Sequence, residues 1–233
     1  MHPEKDREHV MPSEVISDAI RPTLSEKAAA AAAEMISVGT LFYARNWVLG
    51  TSGNFSVVIE ENPPELVITA SGVHKGRLTP GDFLRIRENG KITEGTMRPS
   101  AETPIHQAIL RERKAGSILH THSIWATLLT DVHSSSHGIE IEGYEMLKGL
   151  SGVTTHEHRE WVPILENSQE YVSLSQEVSD VLRSRPDVHG ILLRRHGLYT
   201  WGKDLAEALR HVEILEFLLE VLGRKAGNRP HLS

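Results

Sequence analysis

The pair His120-Thr121-His122 closes the short apolar run Ile118-Leu119 and holds the side chains best suited to chemistry. On a strand, alternate side chains face the same way, so the two imidazoles project together, with Cα atoms about 6.7 Å apart. Two rings at that separation can converge on one metal at bonds of about 2.0–2.1 Å. His196 ends another apolar run and is followed by Gly197, which makes it the candidate third ligand. Three His plus water is a catalytic zinc pattern. Two polar residues at a strand end have the same appearance, and 14 His supply many alternatives. His156 and His158 repeat the spacing, but they sit in a charged stretch that reads as a solvated loop.

Three short segments combine small residues with hydrogen-bond donors: Thr51-Ser52-Gly53-Asn54, Thr69-Ala70-Ser71-Gly72 and Pro99-Ser100-Ala101. Glycine lets backbone N–H groups approach a ligand and hydroxyls add donors, so together they suit an anion nest, although each alone is also an ordinary turn. Lys75 follows Gly72 closely enough to add a charge. Two carboxylates are candidates for acid/base work: Glu102, at the start of a helical segment, and Glu145, in a short segment between Gly143 and Gly149. Either also fits an exposed or helix-capping carboxylate.

The elements that must position these residues follow from punctuation and periodicity. A helix is predicted over 25–47, with Thr23 or Ser25 as cap. Strands are predicted at Phe55–Glu60, Leu66–Thr69, Phe83–Arg87 and Lys91–Thr93, the last two joined through Asn89-Gly90. Helices are expected over Ile105–Lys114, Ile124–Thr130, from Asn167 or Ser168 to Arg183, and over Asp204–Leu222, with a short one over Gly143–Gly149. Val162–Leu165, Gly190–Arg195 and Leu198–Trp201 read as strands, and Val132–Gly138 as a loop. The sum is an α+β chain, a three-layer α/β/α arrangement with a central, mainly antiparallel sheet flanked by helices. Residues 1–22 are polar and proline-punctuated and read as a flexible extension, leaving 23–233 as one catalytic domain.

Composition narrows the function. The 233 residues carry a net charge of −6, which offers no global electrostatic case for nucleic acid or an anionic membrane. There are no cysteines, so any transition metal must be held by His and carboxylate. No apolar run approaches the roughly 20 residues needed to span a bilayer, and Met1–Arg21 lacks the apolar core of a secretory signal, so the expected location is the cytoplasm.

Five motifs taken together resemble the class II aldolase/adducin family over about 25–222: Thr-Ser-Gly-Asn-Phe-Ser at 51–56, Ser-Gly-Val-His-Lys-Gly at 71–76, Pro-Ser-Ala-Glu-Thr at 99–103, His-Thr-His-Ser at 120–123 and Arg-Arg-His-Gly-Leu-Tyr at 194–199. Glu142–Gly149 and Thr154-Thr155-His156-Glu157 resemble the branch that dehydrates 5-methylthioribulose-1-phosphate in methionine salvage. The resemblance implies one Zn²⁺ per subunit on His120, His122 and His196. It implies phosphate on Gly53, Asn54, Ser71, Gly72 and Ser100, and Glu145 as proton carrier. Glu102 resembles a glutamate that touches zinc and does acid/base work in the family's sugar-phosphate aldolases, at a position that resembles a cysteine near the substrate in animal dehydratases, so it is a possible fourth ligand, substrate contact or base. A partly buried Glu145 would have its pKa raised by desolvation. A homotetramer with sites near subunit interfaces is implied as well. The competing readings are a sugar-phosphate aldolase or epimerase, and an adducin-head-like interaction module that needs no metal.

Overall fold

A computed structural model describes residues 24–133 and 135–227, so the extension expected over 1–22 lies outside the described residues. The alanine-rich run forms α1 (Glu26–Ala44). Four strands follow: β1 (Asn54–Glu61), β2 (Pro64–Thr69), β3 (Phe83–Arg87) and β4 (Ile92–Glu94). The chain continues through α2 (Thr103–Arg113), β5 (Ser117–Thr121), α3 (Ile124–Val132), β6 (Gly138–Glu142) and β7 (Arg159–Leu165). It ends with α4 (Tyr171–Ser184), β8 (Gly190–Leu193), β9 (Gly197–Gly202) and α5 (Leu205–Gly227).

The strands make one nine-stranded sheet in the order β4-β3-β2-β1-β5-β9-β8-β7-β6. Every neighbouring pair is antiparallel except β7 with β8. Alternation along the strands feeds two layers of helices. Leu66, Ile68, Ile118, Ile191 and Tyr199 pack with Ile105 and Ile109 of α2 and Leu174 and Val178 of α4. On the other face, Val67, Phe55 and Leu119 pack with Met35 and Phe42 of α1 and Val212 of α5, while Leu192 and Leu198 pack with Leu129 of α3 and Leu215 of α5. The three-layer arrangement is the one read from the sequence. No helix among the described residues is long and apolar enough to cross a membrane.

Some local expectations shift. The polar segment near residue 138 ends in β6, an edge strand of sequence Gly-Ile-Glu-Ile-Glu whose exposed glutamates hid it inside a loop-like stretch. The segment over Gly143–Gly149 holds only a single 3₁₀ turn, Glu145–Gly149. His196 does not end a strand: β8 stops at Leu193, and Arg194-Arg195-His196 turn directly into β9, with Arg195 at φ +54°.

The sheet centre brings candidate residues into one row. Asn54 of β1 lies opposite His120 of β5, and His120 lies opposite Tyr199 of β9. Close backbone approach requires glycine here. A Cβ on Gly197 would sit 1.9 Å from the Thr121 carbonyl oxygen and 3.2 Å from His120 Cε1. Gly197→Ala should therefore push β9 off β5, costing about 3 kcal/mol of stability. Chemical denaturation of the variant checks this, with an unchanged midpoint as the contrary result.

Candidate metal centre

β5 carries His120 fully buried on the α2/α4 face, its ring stacked on Tyr199 at 3.7 Å between centroids. His122, just past the strand, is anchored by its backbone N–H, which donates to the Trp47 carbonyl at 2.7 Å. The β8–β9 turn delivers His196. The three Nε2 atoms face one another: His120 to His122 at 2.8 Å, His122 to His196 at 3.1 Å and His120 to His196 at 3.4 Å. Glu102, the residue before α2, brings Oε1 to 3.1 Å from His196 Nε2 and Oε2 to 3.7 Å from His120 Nε2.

Backing hydrogen bonds decide what those nitrogens present. His120 Nδ1–H donates to the Leu198 carbonyl at 2.9 Å, and His196 Nδ1–H donates to Asn167 Oδ1 at 3.2 Å. A ring whose proton is held on Nδ1 has a lone pair at Nε2. Lone pairs crowded together repel unless a cation lies between them. The donor set, three imidazoles and one carboxylate with two of the rings oriented from behind, fits a divalent transition metal.

Electrostatics keep the donors in their binding forms. Burial lowers the His122 pKa to about 4, helped by His196 and opposed by Glu102. Burial also drives His120 well below the usual histidine value. For Glu102, burial pushes upward, but His120, His196 and Asn54 outweigh it and hold the carboxyl below the usual range. Neutral imidazoles and an ionised carboxylate are the forms a metal takes.

A buried polar chain orients Glu102. Ser56 Oγ–H donates to His106 Nδ1 at 2.7 Å, His106 Nε2–H donates to Asn54 Oδ1, and Asn54 Nδ2–H donates to Glu102 Oε2. His106 is fully buried, and burial lowers its pKa to about 4, so the ring is neutral and holds this direction at neutral pH. Ser56 and His106 were not singled out in the sequence. They are 50 residues apart and only the sheet and α2 bring them together.

The three small-residue segments converge beside the His cluster. Gly53, Asn54, Ser71, Gly72, Lys75, Ser100, Glu102 and His122 line one cavity of about 280 Å³. Gly53 has φ +73°, and a Cβ there would meet the His120 carbonyl oxygen at 2.6 Å, so the segment lies tight against β5 only as glycine. Lys75 is 1% exposed. Its ammonium donates to the Val73 carbonyl at 2.8 Å and the Thr51 carbonyl at 3.1 Å. Burial lowers its pKa to about 8, against the pull of Glu102 and Asp82. A cation with two neutral acceptors and a face on the cavity suits an anionic group. Larger hollows, of about 520 and 630 Å³, are lined by Pro63, Arg87 and Arg111 and by Glu34, Val58 and Lys114, and neither is lined by the imidazole cluster or Lys75.

Glu145 does not join this cluster. Its side chain is 73% exposed and pairs with Lys148 at 2.7 Å and His156 at 3.7 Å. The Lys148 hydrogen bond lowers its pKa, so the expected partly buried, raised carboxyl is corrected to an exposed, lowered one. The cause is local: Leu147 points into the core between α3 and α5, which turns its 3₁₀ neighbour outward.

With this geometry in hand, a profile described as Class II Aldolase and Adducin N-terminal domain matches residues 33–222. The chain belongs to the class II aldolase and adducin family. It is 40% identical over 193 residues to a methylthioribulose-1-phosphate dehydratase of Marinobacter nauticus, covering 82% of this chain and 92% of that protein. The protein of that name from Pseudomonas fluorescens is 42% identical over 190 residues, 81% of this chain and 90% of the relative. Among solved structures, an L-fuculose-1-phosphate aldolase from Thermus thermophilus aligns at 27% identity with a TM-score of 0.68, covering 87% of this chain and all of that one. YgbL from Escherichia coli, a putative aldolase/epimerase/decarboxylase, shares the fold at 23% identity and a TM-score of 0.71, covering 87% of this chain and 92% of that one.

Two outcomes follow for this family member. His122→Ala should leave the fold intact and weaken metal binding at this centre at least tenfold, read as the loss of one metal equivalent by equilibrium dialysis and elemental analysis. Because burial lowers the pKa values of His120 and His122, their neutral ligand forms persist as pH falls through 6.5. Metal should be retained there and released only toward about pH 4, which dialysis across a pH series measures.

Proposed function

We propose that this chain removes water from 5-methylthioribulose-1-phosphate to give 2,3-diketo-5-methylthiopentyl-1-phosphate, a step of methionine salvage. Zn²⁺ on His120, His122 and His196 is the proposed cofactor, one per subunit. The observation that carries the reading is the junction of three convergent imidazole nitrogens with a cavity holding the buried Lys75. A metal-and-anion site of that kind suits a phosphorylated ketose, and two relatives above 39% identity bear the dehydratase name.

Lys75, with Gly53, Asn54, Ser71, Gly72 and Ser100, binds the phosphate and so positions carbon 3. A divalent ion bound by the three His supplies Lewis acidity at the carbon 2 ketone oxygen. A carboxylate removes the proton on carbon 3. The carbon 4 hydroxyl then leaves with a proton as water, and the enol left behind becomes the diketone.

The carboxylate assignment follows from position. Glu102 is ionised and held against His196 and Asn54, so it stays as a contact to the metal and substrate. Glu145 is ionised, exposed and outside the cavity of its own chain. We assign it the proton transfer to the site of a neighbouring copy in a homotetramer. A sugar-phosphate aldolase is the second reading, favoured by Glu102 lying inside the His cluster, and in it Glu102 carries the acid/base work.

Glu145→Gln should lower turnover of methylthioribulose phosphate about 10³-fold with metal content unchanged. Fuculose and ribulose phosphates should remain poor substrates of the unmodified protein. Glu145→Gln co-expressed with His122→Ala should recover about a quarter of full activity, since random mixing pairs an intact metal site with an intact neighbouring glutamate that often. No recovery would place Glu145 in its own chain's site. Near-normal turnover by Glu145→Gln alone, with a dead Glu102→Gln, would establish the second reading.

A further inference from the structure

A second group of metal-ligating side chains lies at the other end of the central strands. His120 and His122 are at the C-terminal end of β5. Ala115, just before β5, and Gly202, closing β9, instead line a separate cavity of about 440 Å³ with Ser151, His158, His189 and His211. His158 and Glu160 are two residues apart at the start of β7, and His189 immediately precedes β8. Their ligand atoms lie within 4.8 Å of one another.

The geometry is specific. His158 Nε2 is 2.8 Å and His189 Nδ1 is 2.9 Å from the same oxygen, Glu160 Oε2. Glu160 is 1% exposed, and its other oxygen accepts the His189 backbone N–H at 2.9 Å. His189 Nε2–H donates to the Ser151 carbonyl at 2.8 Å. That bond directs the remaining nitrogen, Nδ1, at the carboxylate. An imidazole backed by a carbonyl is the usual support of a metal ligand. The sequence reading of His158 as part of a solvated loop does not hold, because Glu160 fixes it.

The strands supply a structural reason for a clamp here. β7 and β8 pair only at Ile164↔Leu192 and Leu165↔Leu193, so no backbone ladder joins their opening ends. The Glu160–His189 contacts bridge that gap. Lys203, Arg113, Asp187 and Glu207 also line this cavity, two cations with two carboxylates.

We propose that His158, Glu160 and His189 form a second divalent-metal site, of the two-His, one-carboxylate type, that clamps β7 to β8. The ligand class is Zn²⁺ or a similar borderline transition metal. Binding would displace the ring protons that face Glu160, and the three side chains would hold the ion beside the cavity.

The test is equilibrium dialysis of the full chain against buffered Zn²⁺, read by elemental analysis and by the thermal midpoint. Two Zn²⁺ per chain are expected in the unmodified protein. His158→Gln and Glu160→Gln should each bind one, and His122→Ala should bind one while keeping a Zn²⁺-dependent rise in midpoint. His158 is partly exposed, so its replacement leaves the core intact even if Glu160→Gln does not fold. A single Zn²⁺ per unmodified chain that is kept in His158→Gln and lost in His122→Ala, or a second equivalent that survives in His158→Gln, would overturn the proposal.

Discussion

Three imidazole nitrogens pointed at one another are unstable company without a cation, and the centre of this protein is built to force them together. Carbonyl and amide oxygens behind His120 and His196 tie up the Nδ1 protons, so the lone pairs face inward. The rings cannot swing away to relieve the repulsion. His120 is stacked on Tyr199, His122 is anchored through its backbone to Trp47, and His196 sits in a three-residue turn between two paired strands. The register of β1, β5 and β9 therefore sets the geometry of the candidate metal centre. A one-residue slip would turn His120 toward α5 and bring Thr121 to the metal face.

The surroundings extend the same logic to the carboxylate and the lysine. In a low-dielectric interior an ionised group is costly unless hydrogen bonds satisfy it. Glu102 is satisfied by a one-way chain of donors that starts at Ser56, runs through His106 and ends at Asn54. Lys75 is satisfied only by two carbonyls, which leaves its charge available to an anion in the adjoining cavity. Positive and negative groups thus line one small space, an arrangement that suits a ligand anionic at one end and oxygen-rich at the other.

The sheet is used at both ends. One end carries the imidazole cluster and the small-residue turns. The other carries the His158, Glu160 and His189 group, where side chains take over from a ladder that stops short. Glu145 belongs to neither end. Its outward position is set by the burial of Leu147 beside it. In the proposed homotetramer, a carboxylate that faces away from its own cavity is available to another.

Much of this was legible in the residues themselves. Strand alternation placed His120 and His122 on one side, the small-residue segments line one cavity with Lys75, and the helix and strand periods gave the three layers, because these are local properties of spacing and backbone freedom. Where local pattern was weak, the reading failed. The glutamates of β6 masked an edge strand, and His158 looked solvated because its partner Glu160 is buried by strands it does not adjoin in sequence. The Ser56–His106–Asn54–Glu102 chain had no local signature, since its members come from β1, α2 and the segment before α2. The sequence alone determined which side chains could bind a metal and an anion. Only the tertiary structure decided that Glu102 joins the imidazoles and Glu145 does not, because burial, protonation and convergence depend on contacts between residues far apart along the chain.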